Sequence, residues 1–273
     1  MEFIELYLPL ICLMLVTGLV SGVMAGLMGI GGGIIIVPVL EFSLGFIGVD
    51  PEIRMHVAVA TSLMTIIPTS ISSARAHHKR GAVDFALCRQ WGPAMFLGAA
   101  CGSWIASQVD SVGLSAIFGV VALFVAVKMI LPMENIRLTT SVPRGFPGIF
   151  SPAIIGTISA MMGIGGGTLG VTTLTIFNVP IHRAVGTATL FGVLIAVPGT
   201  IGFIILGQGN MSLPPGSMGF VNMIGFLILS PVTFLAAPIG AKIAHAMTQR
   251  QLSMTFGIFL MIVAGRMLYR TFM

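Results

Sequence analysis

The string MGIGGG occupies residues 28–33 and recurs at residues 162–167, each time inside a long apolar stretch. Each glycine in a helix interior costs about 1 kcal/mol relative to alanine, so three consecutive glycines predict an interruption of the helix. In a lipid bilayer, backbone that leaves a helix is tolerated only where it is buried in protein or lines a cavity. Two matched breaks, one in each half of a chain, are typical of the binding site of a transporter.

The composition is that of a multi-spanning membrane protein. Of the 273 residues, 56% are hydrophobic and 8% are charged, whereas soluble domains contain about 25% charged residues. The first 27 residues include Glu2 and Glu5 but no lysine or arginine, so the positive start of a signal peptide is missing and the first apolar segment is expected to be retained. The basic residues lie in short loops between apolar runs, which membrane topology explains without a nucleic-acid partner.

Ten apolar stretches occur along the chain, at residues 6–28, 34–47, 55–74, 88–108, 112–131, 147–163, 168–180, 184–206, 219–241 and 251–269. A helix needs about 20 residues to cross a bilayer. The stretches at 34–47, 147–163 and 168–180 are shorter than that, and they flank the glycine strings. We therefore expect an all-α polytopic membrane protein with about 8 to 10 helical segments, in which each glycine string joins the two helices of a broken hairpin.

The second half of the chain repeats the first beyond the glycine strings. Residues 93–130 align without a gap on residues 231–268, and 14 of the 38 pairs are identical. Shared apolarity alone does not explain that many identities, so the chain is predicted to be duplicated. We place the first repeat at residues 1–131, a cytoplasmic linker at residues 132–146 and the second repeat at residues 147–273.

The basic residues predict how the two repeats are oriented. The loop at residues 75–89 contains four basic residues and one acid, so it is expected in the cytoplasm, and Arg183, Lys242 and Arg250 place loops of the second half there as well. Each half then contributes one Gly-broken hairpin plus three transmembrane helices, which inserts the second half upside down relative to the first. The prediction is a pair of inverted repeats whose glycine breaks face each other near the midplane.

Each break also predicts where a ligand would bind. The first amides of the helix after a break lack intrahelical partners and carry the positive end of the helix dipole, which favours an anion. A pair of hydroxyls follows near the start of the next helix in each half, and hydroxyls can bond an oxyanion without adding a charge. The predicted substrate-binding residues are Gly29, Gly31, Gly32, Gly33, Ile34, Thr61, Ser62, Gly163, Gly165, Gly166, Gly167, Thr168, Thr187 and Thr189.

Two alternatives to this interpretation stay open. Small residues in membrane helices also serve to let two helices approach closely, and the glycines would then be packing residues. A hydroxyl inside a helix can instead bond the carbonyl of the preceding turn. The matched placement of the strings and of the hydroxyl pairs in both halves favours the binding site.

Acidic residues give little support for coupling through carboxylates. All eight lie at or before Glu134, whereas pumps that move protons or sodium place carboxylates within their membrane helices. Seven of the eight fall at predicted helix ends or in loops, and only the placement of Glu41 is doubtful. A carboxylate relay is therefore disfavoured.

Other classes of site are not indicated. Gly33 is followed by Ile34-Ile35 and Gly167 by Thr168-Leu169, so the lysine of a phosphate-binding loop is missing after both strings. His56, His182 and His245 lie near predicted helix ends, and His77 and His78 lie in the cytoplasmic loop, without the spacing of metal ligands. No catalytic residue, metal, cofactor or enzyme activity is predicted. The expected partners are a small anionic substrate, the lipid bilayer and, as an open alternative, a second copy of the chain in a homodimer.

These residues also resemble a known family over nearly the whole chain, the sulfite exporter TauE/SafE family, also called the toluene sulfonate uptake permease family. The resemblance rests on residues 26–33 followed by Pro38, on ATSL at 60–63 followed by HKRGAVDF at 78–85, and on residues 163–167 followed by AVGT at 184–187. The chain departs from the family pattern at Ala188, where a serine is expected directly after Gly186 and Thr187.

The resemblance implies a multi-pass protein of the bacterial inner membrane that carries out secondary transport of small sulfur-containing anions such as sulfite, sulfonates or sulfoacetate. We expect alternating access around a site between the two breaks. A passive anion channel and a transporter of small carboxylates stay open as alternatives.

Overall fold

The computed structural model describes residues 2–29, 31–131, 146–244 and 248–272. The predicted linker at 132–146 lies almost wholly outside these residues. Within them the chain forms ten α-helices and one short β-ribbon. The elements are α1 (Glu2–Met28), α2 (Gly33–Phe46), α3 (Pro51–His78), α4 (Phe85–Gln108), α5 (Ser111–Ile130), α6 (Phe146–Met161), α7 (Gly167–Ile176), α8 (Ile181–Leu206), β1 (Ser217–Met218), β2 (Val221–Asn222), α9 (Met223–Ile243) and α10 (Gln249–Phe272).

The all-α polytopic fold is confirmed. In the part of the chain that the structure describes, five helices are long and apolar enough to cross a bilayer, namely Leu8–Met28, Pro51–His78, Ser111–Ile130, His182–Leu206 and Met223–Ile243. The helices after the two glycine strings are short, with 14 residues in α2 and 10 in α7, which is about 21 Å and 15 Å of helix. Neither is long enough for the hydrocarbon core of about 30 Å.

Helix starts explain where several acids lie. The side chains of Asp50, Asp84 and Asp110 accept bonds from the backbone amides of Glu52, Leu87 and Gly113, so these carboxylates cap α3, α4 and α5. Capping satisfies amides that the first turn of a helix leaves unpaired. The three acids thus have a structural role at helix ends, as their sequence positions predicted.

The first helix of each half packs closely on the fourth helix of the other half. A Cβ on Gly26 of α1 would overlap the carbonyl oxygen of Ala237 in α9, and a Cβ on Gly98 of α4 would overlap that of Ala153 in α6. Small residues let helix backbones approach in this way, and dispersion contacts then hold the helices together in lipid. The packing pattern is thus the same in both halves, with the helices exchanged.

A matched pair of hydrogen bonds also joins the two halves of the chain. The hydroxyl oxygen of Thr61 in α3 accepts a bond of 2.9 Å from the amide of Asn222, the residue that caps α9. The hydroxyl oxygen of Thr187 in α8 accepts a bond of 3.0 Å from the amide of Asp84, which caps α4. Each long helix therefore holds the start of a helix from the other half.

Contacts at the helix ends indicate the relative direction of equivalent helices. Arg183, near the start of α8, forms an ion pair of 2.7 Å with Asp84, before the start of α4. His56, near the start of α3, instead contacts the carbonyl oxygen of Val109 at the end of α4, at 2.9 Å. Hence α3 and α8 run in opposite directions. These contacts support the inverted-repeat interpretation, which stays a prediction.

The outer surface matches a lipid environment. Large apolar side chains such as Leu97, Phe124, Leu235 and Ile262 are more than 60% exposed. Exposed apolar side chains on several helices are expected where a membrane protein contacts the bilayer. The buried core lies inside the bundle and includes Trp91, Phe118, Phe191 and Phe203.

The β-ribbon was not predicted from the sequence. Ser217 pairs with Asn222 and Met218 with Val221 in the connection between α8 and α9. Strands of two residues are too short to show alternating hydrophobicity. The ribbon positions Asn222, whose side chain then caps α9 by accepting a bond from the amide of Gly225.

The inverted topology predicts opposite sides for equivalent loops. Single cysteines replace Lys79 between α3 and α4, or the fully exposed Met211 between α8 and α9, in a protein whose three native cysteines are replaced by serine. In oriented cells, an impermeant thiol reagent outside is expected to label Met211→Cys and not Lys79→Cys. Labelling of both from the same side would contradict the inverted repeat.

The hydrogen bonds of Thr61 and Thr187 between the two halves predict that removal of either hydroxyl lowers the stability of the protein. Thr61→Val leaves the buried amide of Asn222 without its acceptor, which costs about 1–3 kcal/mol of unfolding free energy, and Thr187→Val has a similar or smaller cost at the half-buried amide of Asp84. Thr189→Val is the control, because the Thr189 hydroxyl bonds the carbonyl of Gly186 in its own helix. Thermal unfolding of the purified protein measures the difference. An equal loss of unfolding free energy in Thr189→Val would contradict a specific contribution from the hydrogen bonds between the halves.

Candidate functional site

The two glycine strings meet inside the bundle. A Cβ placed on Gly31 would lie 3.4 Å from the Cα of Gly165, and one on Gly33 would overlap the carbonyl oxygen of Gly163. The strings are more than a hundred residues apart in sequence, yet their backbones touch. Only residues without side chains allow this approach.

Each string lies against the middle of a long helix. Gly31 faces Ile66 of α3, while Gly166 faces Phe191 and Ile195 of α8. The strings also cross between the halves, because a Cβ on Gly29 would lie 2.5 Å from the carbonyl oxygen of Val185 in α8. Reciprocally, a Cβ on Gly163 would lie 2.9 Å from the Cα of Val59 in α3.

The two glycine strings have the same sequence, but their glycines adopt different backbone conformations. In the first string, Gly29, Gly31 and Gly32 have φ angles of 69°, 76° and 77°. In the second string only Gly163 has a positive φ, of 66°, and Gly166 is right-handed with φ of −60°. Since glycine occupies both regions at little cost, the surroundings and not the local sequence select each conformation.

The helices that follow the strings begin without side-chain caps. Gly32 and Gly166 occupy the capping positions of α2 and α7, and neither start has a side-chain hydrogen bond. The first intrahelical bonds come from the amides of Ile35 and Gly170. The amides before them, including those of Ile34 and Thr168, belong to the first turn and carry the positive end of the helix dipole.

A small cavity of about 10 Å³ lies between these two helix starts. Ile34 from α2 and Thr168 from α7 both line it, together with Ser159 from α6. Ser159 is 1% exposed and Thr168 is 6% exposed, and their hydroxyls have no hydrogen-bond partner in the structure. A buried hydroxyl without a partner costs about 1–3 kcal/mol, and these two lie beside the uncapped helix starts.

The four hydroxyl groups that were predicted to bind substrate make different kinds of hydrogen bond in the structure. Ser62 donates a bond of 2.8 Å to the carbonyl oxygen of Gly163, and so contacts the break of the other half. Thr61 and Thr187 instead accept the amides that begin α9 and α4. Thr189 bonds the carbonyl of Gly186 in its own helix at 2.6 Å, which is the alternative that the sequence left open.

The prediction that the hydroxyl pairs lie near helix starts was wrong for the first pair. Asp50 caps α3 and Pro51 begins it, upstream of the apolar stretch, so Thr61 and Ser62 lie well inside the helix. The apolar stretch at residues 55–74 also predicted too early an end for α3. The helix continues to His78, and His77 is buried with its ring bonded to the carbonyl of Gly26 at 2.8 Å.

Ser159 was not predicted as a site residue. It lies one helical turn before the second glycine string, in a position where the first half has Ala25. A sequence argument based on matched residues in both halves could not find it. Its signal is a serine on an apolar helix directly before a break, where a hydroxyl is close to the freed backbone.

Comparison with known proteins indicates the class of protein to which this chain belongs. The family model described as sulfite exporter TauE/SafE matches residues 14–267. A protein of Haemophilus influenzae named a probable membrane transporter protein is 33% identical over 94% of this chain and 97% of its own length. The probable membrane transporter protein YunE of Bacillus subtilis is 28% identical, with the same coverage of both chains. No solved structure matches the chain.

The matched region includes both glycine strings and the helices that follow them, and the relatives are similar over nearly their full length. With its five candidate membrane spans, the chain is a multi-pass membrane transporter. It belongs to the sulfite exporter TauE/SafE family.

Proposed function

We propose that this protein is a secondary transporter of small anions in the bacterial inner membrane, and that the anion binds between the two glycine breaks. The observation that carries the proposal is the meeting of two uncapped helix starts at a cavity whose lining residues include Ser159 and Thr168, which have unpartnered hydroxyls. Sulfite, sulfonates and other organosulfur anions are the proposed substrates, in keeping with the family description.

The charge of the ligand follows from the groups at the site. Helix starts favour negative charge by about 0.3–2 kcal/mol each, and hydroxyls donate to oxyanions. The residues that line the cavity include no charged side chain. An anion would therefore meet donors from both halves, whereas a cation would meet two repulsive dipole ends.

The size of the cavity implies motion. A cavity of about 10 Å³ holds roughly one water molecule, and a sulfite ion with four heavy atoms is larger. The described state is therefore closed to substrate. Because the glycine strings accept two backbone conformations at little cost, we propose that they exchange conformations as the site opens to one side and then the other.

A passive channel is the alternative that transport assays must separate. The closed cavity argues for a binding step, because a channel needs a continuous path in its open state. Carrier transport saturates with substrate and shows counterflow, and channel flux shows neither. Small carboxylates belong in the same assay beside sulfite and sulfonates, since helix starts and hydroxyls also bind carboxylates.

The two unpartnered hydroxyls predict a separation between stability and transport. Ser159→Ala and Thr168→Val remove groups that make no hydrogen bond within the structure, so unfolding temperature should stay the same or rise. Substrate affinity should fall about tenfold for each lost bond to a charged ligand. Radiolabelled sulfite uptake into proteoliposomes measures the apparent affinity.

The matched control is Thr200→Val, because Thr200 is also buried with an unpartnered hydroxyl but does not line the cavity. Its uptake should equal that of the unmodified protein. Unchanged sulfite and sulfonate affinity in both Ser159→Ala and Thr168→Val would refute the proposed site.

A further inference from the structure

The second half of α3 and the turn after it bond α1 and α9 through polar side chains. We call this contact the polar seam, and its members on the α3 side are Thr69, Ser72, Ser73, His77 and Arg80. Their spacing, mostly three or four residues, places them on one face of the helix. All but Arg80 are buried.

Two members of the polar seam bond α9. The hydroxyl oxygen of Thr69 lies 2.7 Å from that of Thr233, and Ser72 donates a bond of 2.7 Å to the carbonyl oxygen of Phe234. Both are bonds that water could replace.

Two other members bond the end of α1, next to the first glycine string. Ser73 donates to the carbonyl oxygen of Ala25 at 3.3 Å, and Nε2 of His77 contacts that of Gly26 at 2.8 Å. The carbonyl of Ala25 also accepts the amide of Gly29, the first glycine of the string. The polar seam therefore begins at the break.

The helices α1 and α9 pack on each other much more closely. A Cβ on Gly22 would lie 2.6 Å from the carbonyl oxygen of Thr233, and one on Gly240 would overlap that of Val23. Close dispersion contacts hold helices that meet through small residues. We therefore expect α1 and α9 to move as one unit, which can separate from α3 at the polar seam.

The matched face of α8 is apolar. Thr61 and Thr187 bond matched helix starts, so positions in α3 and α8 can be paired by counting from them. The residues that pair with the polar seam are Ile195, Pro198, Gly199, Phe203 and Leu206. Ile195 packs in an apolar cluster with Met95 of α4 and Ala160 of α6. The matched contact in the other half is thus apolar.

This difference affects how easily each contact separates. Hydrogen bonds inside a protein are exchanged for bonds to water at a small net cost. Apolar surface that becomes wet costs free energy in proportion to its area. The polar seam should therefore open more readily than the contact of α8 with α4 and α6.

A buried hydroxyl lies at the inner end of the polar seam. Ser21 is in α1, one helical turn before Ala25, and is fully buried. It lies against the first break, since a Cβ on Gly32 would be 3.1 Å from its Cβ. Within the described residues the Ser21 hydroxyl has no hydrogen-bond partner. An oxyanion that left the break would meet a free donor there.

Basic side chains lie at the outer end of the polar seam. Arg80 donates through Nη1 to a backbone carbonyl at the end of α9, and Lys79 and Lys242 are exposed beside these two positions. The acid that follows in the sequence, Asp84, is paired with Arg183. A local excess of positive charge raises the concentration of anions, so this end favours their entry.

We propose that the polar seam is the gate of this transporter on the side of Arg80, and that a small oxyanion passes along its hydroxyls between the breaks and that side. The basic loop predicts this side to be the cytoplasm. The gate opens when α1 and α9 move together away from α3. Passage of a substrate anion rests on the proposed function, whereas opening of the polar seam can be measured without a substrate.

Cysteine accessibility tests the gate. Thr69→Cys is prepared in the full-length protein with its three native cysteines replaced by serine. Membrane vesicles of both orientations are treated with an impermeant methanethiosulfonate reagent. The reagent is expected to modify Thr69→Cys from the side of Lys79 and not from the opposite side. If Thr69→Cys does not fold, Ser72→Cys takes its place in the same contact.

Two matched variants provide the comparison. Ser70 is the buried neighbour of Thr69, but its hydroxyl faces Gly192 of α8. Ile195 is the residue of α8 that pairs with Thr69. Ser70→Cys from the side of Lys79, and Ile195→Cys from the opposite side, should each react about tenfold more slowly than Thr69→Cys or slower still.

Three results would overturn the gate. Equal rates for Thr69→Cys and Ser70→Cys would show that α3 does not open at the polar seam. Equal rates for Thr69→Cys and Ile195→Cys, each from its own side, would remove the difference between the two contacts. The third result is that Thr69→Cys does not react, or reacts only from the side opposite Lys79.

The charge of the solute is tested with two methanethiosulfonate reagents of similar size, one with a sulfonate and one with a trimethylammonium group. Each rate is divided by the rate of the same reagent with Met211→Cys, which is fully exposed. At Thr69→Cys the anionic reagent should then be about tenfold faster than the cationic one. Equal rates, or a faster cationic reagent, would overturn the anion path.

Arg80→Gln should reduce the preference for the anionic reagent, because it removes a positive charge at the entrance. Arg89→Gln is the matched control, since it removes an exposed cation from α4, and it should leave the preference unchanged. An equal effect of both variants would assign the preference to general surface charge and overturn the role of Arg80.

The two proposals fail separately. Labelling needs no substrate, so unchanged anion affinity in Ser159→Ala and Thr168→Val would refute the site at the breaks and leave the labelling pattern intact. Equal labelling of Thr69→Cys and Ser70→Cys would overturn the gate and leave that site untouched.

Discussion

The backbone contact between the two glycine strings is the constraint on which the rest of the structure depends. Gly33 approaches the carbonyl of Gly163 too closely for any side chain, and Gly29 does the same at Val185. A side chain at either point would push the halves apart. With the halves in contact, the starts of α2 and α7 must face one cavity, and the long helices α3 and α8 must cross beside it. The reciprocal bonds of Thr61 and Thr187 then hold the next helices in place.

This arrangement leaves polar groups inside the bundle that have no partner in the structure. Free amides and hydroxyls in an apolar interior destabilise a fold unless a partner satisfies them. Ser159 and Thr168 are such groups, and each has a hydroxyl without a partner in the closed state. An oxyanion would satisfy both, together with the first-turn amides. In the proposed site the ligand would supply bonds that the fold omits, which would connect the stability of the protein with its affinity for substrate.

Much of the fold follows from the sequence, because its signals are local. The glycine strings predicted the broken hairpins, apolar length predicted the short helices, and acids such as Asp84 were expected at helix ends or in loops, although their capping role was not predicted. The binding site follows only in part. Thr61 and Thr187 bond residues more than a hundred positions away, and the two strings differ in conformation although their letters are the same. Likewise the pairing of Glu41 with Arg54 arises from how α2 packs on α3, which no spacing in the sequence expresses.

Accessibility of Thr168 tests the central claim most directly. Thr168→Cys is prepared in a protein in which Cys12, Cys88 and Cys101 are replaced by serine, and reconstituted in proteoliposomes of known orientation. We predict that an impermeant thiol reagent modifies this cysteine slowly from either side of the membrane, and that a transported sulfonate, which does not react with the reagent, slows the reaction from both sides. Modification from one side only, at a rate that no anion changes, would contradict a substrate site between the two glycine breaks that opens alternately.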